Sequence, residues 1–363
     1  RQKLASTKVC EVSEELELNK VLEKKGLRVI ETDLGEYIAQ IAEEAPSHII
    51  APIIHKTRGD VASLFKEKLG ATEAEVATVS TMTNFARRKL RLEFLNADMG
   101  ISGVNFGVSE TGSLCLVTNE GNGRLTTTMP PIHVALMGIE RIVPTIEDLE
   151  VMLQLLPRSA TGQKLTVYTN IITGPRGRSS ENNLARKTVD EPDGPDELHV
   201  VLIDNGRSDI LGSSLAEILY CVRCGACLNS CPVYQQIGGH AYDSVYSGPM
   251  GSILTPGLFG LEPWQELPHA STLCGACKEV CPVRIDIPRM LLELRHQAAI
   301  TLPEKNLLRL GIVLYRHLAV RPWLFRLTRK CLRYLVTTFT KEGWVEKLPK
   351  PLAGWTAHRD FPP

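Results

Sequence analysis

The 363-residue chain has no surplus of either charge, since 41 Lys/Arg balance 41 Asp/Glu. That balance argues against general affinity for nucleic acid. No stretch reads as a signal peptide or a spanning helix, and the chain starts at Arg1 rather than Met. The longest charge-poor run near the cysteines, Ser244 to Leu261, is interrupted by Gly248, Pro249, Gly251, Pro256, Gly257 and Gly260, which suits no membrane span. No G-x-G-x-x-G or P-loop opens a helix, so nucleotide binding has little support. The lone histidines His48, His55, His133 and His199 lack metal-ligand spacing and read as structural. These absences leave a soluble or peripheral protein, expected in the cytoplasm.

What is present is cysteine in two short runs. Cys221-Val-Arg-Cys224-Gly-Ala-Cys227-Leu-Asn-Ser-Cys231-Pro232 is a complete C-x2-C-x2-C-x3-C-P sequence. Ser271-Thr-Leu-Cys274-Gly-Ala-Cys277-Lys-Glu-Val-Cys281-Pro282 repeats it, with Ser271 where the first cysteine would stand. Two-residue gaps let successive thiolates converge on one small cluster, and Gly225 and Gly275 let the backbone fold closely around it. In two-cluster ferredoxins the cysteine before proline crosses to the other cubane. Cys221, Cys224, Cys227 and Cys281 are therefore expected to hold a [4Fe–4S] cluster. Cys231, Cys274 and Cys277 would hold a second, with Ser271 at the vacant fourth position. That second cluster is either [3Fe–4S], or [4Fe–4S] with Ser271, water or an exogenous group on the odd iron, or it is completed by a partner chain. Cys10, Cys115 and Cys331 stand singly and read as reduced thiols, which points to a reducing compartment.

The charge balance hides an asymmetry. From residue 291 onward thirteen Lys/Arg face five Asp/Glu, while the remainder carries 28 against 36. A basic tail follows an acidic body. Residues 1–210 read as alternating α and β. Ser13 is placed to cap a helix running to Gly26; a strand is expected at Leu27–Ile30, a helix at Leu34–Ala45, a strand at His48–Ile54 and a Thr57-capped helix ending at Gly70. A long helix follows over about 72–96, then two β runs around Glu110–Ser113, a strand at His133–Val143, a helix at Ile146–Leu156 and strands at Lys164–Thr173 and Leu198–Asp204. Gly174–Pro195 reads as a long loop. The alternation implies a largely parallel sheet covered on both faces. Residues 211–300 form the cysteine-rich domain, whose Gly/Pro-rich stretch between Cys231 and Cys274 is expected to wrap the clusters rather than build its own core.

Residues 301–363 read as a helical tail with two apolar stripes: Leu307, Leu310, Leu314 and Leu318, then Leu324, Leu327, Cys331, Leu335 and Phe339. Arg326, Arg329, Lys330 and Arg333 lie between the latter. Packing on its own domain or a partner is the first expectation, and contact with the inner face of the membrane is the alternative. In open α/β sheets ligands bind where strands end, and Gly-rich turns expose N–H groups. Gly107–Gly112 and Gly121–Gly123 fit that description. Glu110 is the candidate catalytic carboxylate, Arg124 the candidate carboxylate clamp, and Asn119 and Asn122 candidate ligand donors. Ordinary hairpin chemistry would demand the same residue types.

Thr32–Ile38, Pro46–Pro52 with His55-Lys-Thr57, Gly107–Ser113 and Thr118–Arg124 resemble the LUD domain. Joined to Cys221–Pro232, Gly238–Gly251 and Ser271–Pro282, they make the chain similar to the iron–sulfur subunits of L-lactate utilisation complexes, the lactate utilisation protein B family. The resemblance covers nearly the whole chain, down to His358-Arg-Asp-Phe361, and that family usually continues beyond both ends of this sequence. It implies an α/β LUD domain akin to the sugar-phosphate isomerase and CoA-transferase superfamily. A mainly α, ferredoxin-like 4Fe-4S domain and a helical tail would follow. It also implies electron transfer in the oxidation of L-lactate to pyruvate, two partner proteins and an electron acceptor it does not name. On that reading the chain is an electron carrier rather than a sole catalyst. The alternatives are a catalytic subunit binding a small carboxylate at the Gly107–Arg124 loops, or a redox-sensing scaffold.

Overall fold

The computed structural model describes residues 3–8, 11–176, 194–301, 306–337, 340–341 and 344–345. The chain divides into two units, Arg1–Ala298 and Ala299–Pro363. In the first, β1 (Leu4–Lys8), α1 (Glu11–Glu15), α2 (Leu18–Lys24), β2 (Arg28–Glu31) and α3 (Leu34–Ala42) lead to α4 (Arg58–Leu69), α5 (Glu73–Val76) and α6 (Val79–Asn96). Next come β3 (Met99–Gly103), β4 (Phe106–Val108), β5 (Ser113–Thr118), α7 (Asn122–Thr128), β6 (Ile132–Gly138), β7 (Ile142–Val143), α8 (Ile146–Thr161), β8 (Tyr168–Ile172) and β9 (Glu197–Ile203). Threonine side chains start four of these helices by reciprocal capping: Thr57 with Asp60, Thr72 with Glu75, Thr78 with Thr81 and Thr145 with Asp148.

Five strands form one all-parallel sheet in the order β2-β1-β3-β6-β9. The chain leaves β1 in one direction to β2 and in the other to β3, so β1/β3 is the topological switch point. A second sheet, β7-β4-β5-β8, is mixed, with antiparallel β4–β5 and β5–β8 pairs. Val104, Leu114, Leu116, Ala135 and Met137 form a buried cluster drawn from both sheets.

The cysteine-rich part continues with α9 (Arg207–Leu211), α10 (Ala226–Asn229), α11 (Pro232–Ile237), α12 (Gly248–Phe259), α13 (Ala276–Glu279) and α14 (Ile287–Thr301). Tyr242, Tyr246, Met250, Ile253, Leu254 and Leu267 lie in one core cluster with Leu228, Ile285, Met290, Leu291 and Leu294. The stretch between Cys231 and Cys274 thus packs around the cysteines, Cys231 and Cys277 lying in the same cluster, and shares its core with the flanking helices. Pro249 falls in the first turn of α12, where its missing N–H costs nothing, so the proline-rich run is helical after all.

Other expectations shift as well. His48–Ile54 is a set of turns, because His48 Nδ1 accepts the Ile50 and Ala51 N–H groups (3.0 and 3.1 Å) and curls its own segment. Ser13 is buried inside α1 rather than capping it, and Glu17, in left-handed backbone, breaks the helix before α2. Residues 120–123 open helix α7 instead of closing a hairpin. Strand β1 was not foreseen. Most of the expected loop at Gly174–Pro195 lies outside the described residues.

The second unit contains α15 (Asn306–Ala319), α16 (Pro322–Thr337) and a two-residue antiparallel pair, β10 (Thr340–Lys341) with β11 (Trp344–Val345). Leu310, Leu314 and Leu327 are exposed; the side chains of Leu307, Leu335 and Phe339 lie outside the described residues. Among the described residues no helix is long and apolar enough to cross a membrane.

Candidate metal centre

The two cysteine runs fold as a structural repeat. Arg223 and Leu273, the second residues of matching two-residue gaps, both take left-handed backbone, with φ of 57° and 56°. Gly225 and Gly275 follow at 73° and 85°, and each opens a four-residue helix, α10 or α13. The Arg223 N–H donates to Cys221 Sγ (3.4 Å), and the Leu273 N–H donates to Ser271 Oγ (3.1 Å). Ser271 therefore stands in the second loop as Cys221 stands in the first, making the same local contact. Two further sulfurs receive backbone donors: Tyr234 N–H to Cys231 (3.5 Å) and Ile285 N–H to Cys281 (3.4 Å).

Cys221, Cys224, Cys227 and Cys281 line one small cavity whose other walls include Val222, Met250, Ile285 and Ile287. Burial in these apolar surroundings pushes the Cys224 thiol up to about 11, and the Cys221 and Cys281 sulfurs beside it add to the rise. Burial raises Cys227 well above its usual range, again with Cys221 and Cys224 close by. Cys277 is pushed up to about 11 by burial and then by Cys231, with Cys274 also near. Cys281 thus lies beside the first run and Cys231 beside Cys277, while Cys277 also lies near Cys227. Among the described residues no three His, Cys, Asp or Glu side chains are placed to hold a single metal ion. Four thiols around an apolar space, met by backbone N–H groups, fit an iron–sulfur cubane, whose iron charge would take thiols that burial otherwise keeps protonated.

The first cysteine loop is built into the α/β domain. Val222 and Cys224 share a buried cluster with Phe106, Val108, Cys115, Val143, Leu149 and Leu156. The Arg141 guanidinium donates to the Cys221 carbonyl (2.7 Å). Arg223 Nη2 donates to Glu140 (2.9 Å), and its guanidinium lies 4.4 Å from the Tyr246 ring centroid. Glu140 also accepts from Arg207 Nε (2.7 Å), while Arg207 makes a two-pronged contact to Glu15 (2.9 and 2.8 Å). Tyr246 donates to the same Glu15 carboxylate. Burial alone would raise both carboxyls, but Arg207, Tyr246 and Asn205 hold Glu15 below its usual range, and Arg223, Arg141 and Arg207 do so for Glu140. A second seam runs along residues 45–55. Tyr234 donates to the Ser47 carbonyl (2.6 Å), His240 Nε2 to the Ala45 carbonyl (2.8 Å), and His48 Nε2 to Asn229 Oδ1 (3.2 Å).

A cavity of about 580 Å³ lies at the β1/β3 switch point. Its wall is made by residues past the C-terminal ends of the parallel strands: Glu11 and Glu14 after β1, Asp33–Glu36 after β2, Gly103–Asn105 around the end of β3, and Arg141 after β6. The turns at 46–54 and Val222–Arg223 of the first cysteine loop complete it. Burial raises Glu14 to about 8 and Glu36 to about 10, with neighbouring carboxylates adding to each.

The Gly-rich stretch contributes its middle rather than its ends. Val117–Glu120 line the cavity, whereas Glu110, on the β4–β5 turn, and Arg124, on α7, are both exposed and outside it. Asn119 braces Gln163 and the Val167 N–H, and Asn122 Oδ1 accepts from Thr118 and the Gly123 N–H, so both are engaged locally. Sequence reasoning missed Arg141, Arg223 and the carboxylates of α1 and α3. Arg223 had one local signal, its place between two cluster cysteines.

A family model described as the LUD domain matches residues 5–203, and one described as a 4Fe-4S dicluster domain matches residues 217–285. The second range contains all seven motif cysteines and Ser271, and its description gives a three-iron centre no support. Proteins named lactate utilization protein B are similar over 97% of this chain: 46% identical in Shouchella clausii, 47% in Macrococcus caseolyticus and 45% in Bacillus subtilis. The chain spans 71–72% of their length. A crystal structure of a DUF162 family protein from Deinococcus radiodurans is 18% identical, covering 55% of this chain and 87% of that one, but at a TM-score of 0.23 it carries no argument. With an α/β LUD domain followed by a helical 4Fe-4S dicluster domain, the chain belongs to the lactate utilization protein B family.

Proposed function

We propose that the chain is the iron–sulfur electron-transfer subunit of a cytoplasmic complex that oxidises L-lactate to pyruvate with two further proteins. The observation that carries the reading is the convergence of Cys221, Cys224, Cys227 and Cys281 on one apolar cavity. Cys231, Cys274 and Cys277 are the second ligand set, and the Ser271 hydroxyl, in the position equivalent to Cys221, is the fourth ligand of a second [4Fe–4S] cluster. Forming pyruvate removes two electrons and two protons from lactate, and cubanes pass electrons one at a time, so two clusters suit a relay toward an acceptor. The protein's part is to exclude water, to aim N–H donors at the sulfurs, and to set Arg223 within the first loop and Arg141 beside it. A Cys224→Ser variant assembled into the whole complex is expected to lose lactate oxidation. Undiminished turnover, measured with the complex intact, would remove the relay role.

A further inference from the structure

The switch-point cavity and the cysteine cavity share a wall, since Ile49, Val222 and Arg223 line both. Val222 and Arg223 are the two residues between Cys221 and Cys224. Whatever occupies the larger cavity is thus one residue away from the first ligand set. Arg223 is only 6% exposed and holds a left-handed φ that costs a residue with a Cβ. Its Nη2 is bound to Glu140, yet its Nη1 is buried without a hydrogen-bond acceptor, the Glu11 carboxylate standing 4.0 Å off. Buried guanidinium donors are expensive to leave unmatched, so this one points to an acceptor supplied from outside the chain.

Arg141, Arg207 and Arg223 face Glu15 and Glu140, and Glu11 stands 4.0 Å from Arg223 Nη1, so three cations meet three carboxylates and only the Nη1 donor is left unmatched. Glu14 and Glu36 line the same cavity. Both carboxyls are raised above neutrality, so they present O–H groups there rather than a repelling charge. An unmatched guanidinium donor and two neutral carboxyls in one cavity suit a short acid with a second oxygen on the next carbon. Ligands of open α/β sheets bind at this crevice, and the volume falls in the ordinary range for small-molecule sites.

We propose that the switch-point cavity binds a short-chain 2-hydroxy or 2-oxo carboxylate, its carboxylate on Arg223 Nη1 and its second oxygen toward Glu14 and Glu36. The choice of acid rests on the electron-transfer reading; the location of the site does not. Arg223 is the contact shared between ligand and cluster loop.

The test uses the full chain with its clusters reconstituted anaerobically. Calorimetric titration with L-lactate and with pyruvate is run on the wild type, Arg223→Gln and Arg223→Lys, beside iron content and the EPR spectrum of the dithionite-reduced protein. Expected are saturable binding to the wild type, a change in the spectrum of one cluster on ligand addition, and a loss of affinity of about tenfold or more in either variant at unchanged iron content. Should both variants lose iron, the wild-type spectrum decides: a ligand-induced change supports the site, and none overturns it. Binding that ignores Arg223, or saturable binding of Mn²⁺ alone with no response to either acid, also overturns it. If the acids bind but Cys224→Ser leaves turnover of the complex intact, the relay has failed and the site stands.

Discussion

Glu36 occupies the first turn of α3, where Asp33 caps the helix by accepting the Gly35 and Glu36 N–H groups. Burial, followed by Glu14, Glu31, Asp33 and Glu11 around it, lifts its carboxyl from 4.5 to about 10. Between those values the folded chain holds a proton that the unfolded chain has released. The slope of stability with pH is therefore negative: the contribution is fully favourable below about pH 4.5 and is lost as pH rises toward 10. Glu36→Gln keeps the shape and removes the titration. Its melting temperature should exceed that of the wild type at about pH 8.5, with the gap shrinking toward about pH 5; a gap that does not change with pH would refute the assignment. Nothing local in the sequence marks Glu36, because its environment is assembled from α1, β2 and α3. The cysteines were legible for the opposite reason, since cluster ligation imposes its spacing within a dozen residues.

At the scale of elements, what could be read were the pieces whose determinants are contiguous: α4 between Thr57 and Gly70, the helix at Ile146–Leu156 that is α8, and β5 from its apolar run. The sheet pairing was legible only in outline. Parallel order followed from alternation, but the separate β7-β4-β5-β8 sheet depends on long-range partners such as Leu114 with Ile172. The turns at 47–55 escaped because an apolar run between two prolines imitates a strand, and His48 overrides that pattern through its own ring. This segment also explains Gly239. A Cβ there would fall inside the Ser47 carbonyl, which is already pinned by the Tyr234 hydroxyl (2.6 Å). Gly239→Ala is expected to cost about 2 kcal/mol or more in urea unfolding; an unchanged midpoint would show that the close approach is unimportant.

For the whole molecule, the α/β and cysteine-rich parts behave as one compact unit because charge is buried between them. Arg207 is 1% exposed in its side chain, Glu15 0% and Glu140 4%. Each partner comes from a segment distant in sequence, so the balanced composition gave no hint that a few of those charges are internal. Arg207→Met strands two carboxylates in the interior and should destabilise the unit by about 3–5 kcal/mol. A loss below about 1 kcal/mol, the range of exposed ion pairs, would mean that the network is solvated. The same network ties Arg223 of the first cysteine loop to Glu140, and Arg141 holds the Cys221 carbonyl, so the loop is joined to the α/β sheet.

Two crossed ligand sets are proposed to hold two [4Fe–4S] clusters, the second completed without a fourth cysteine. Counting iron and sulfide in anaerobically purified protein, with EPR before and after dithionite, tests this most directly. About eight irons and eight sulfides per chain and two interacting [4Fe–4S]⁺ signals on reduction are expected. A three-iron signal in the oxidised sample, about four irons per chain, or zinc in place of iron would contradict it.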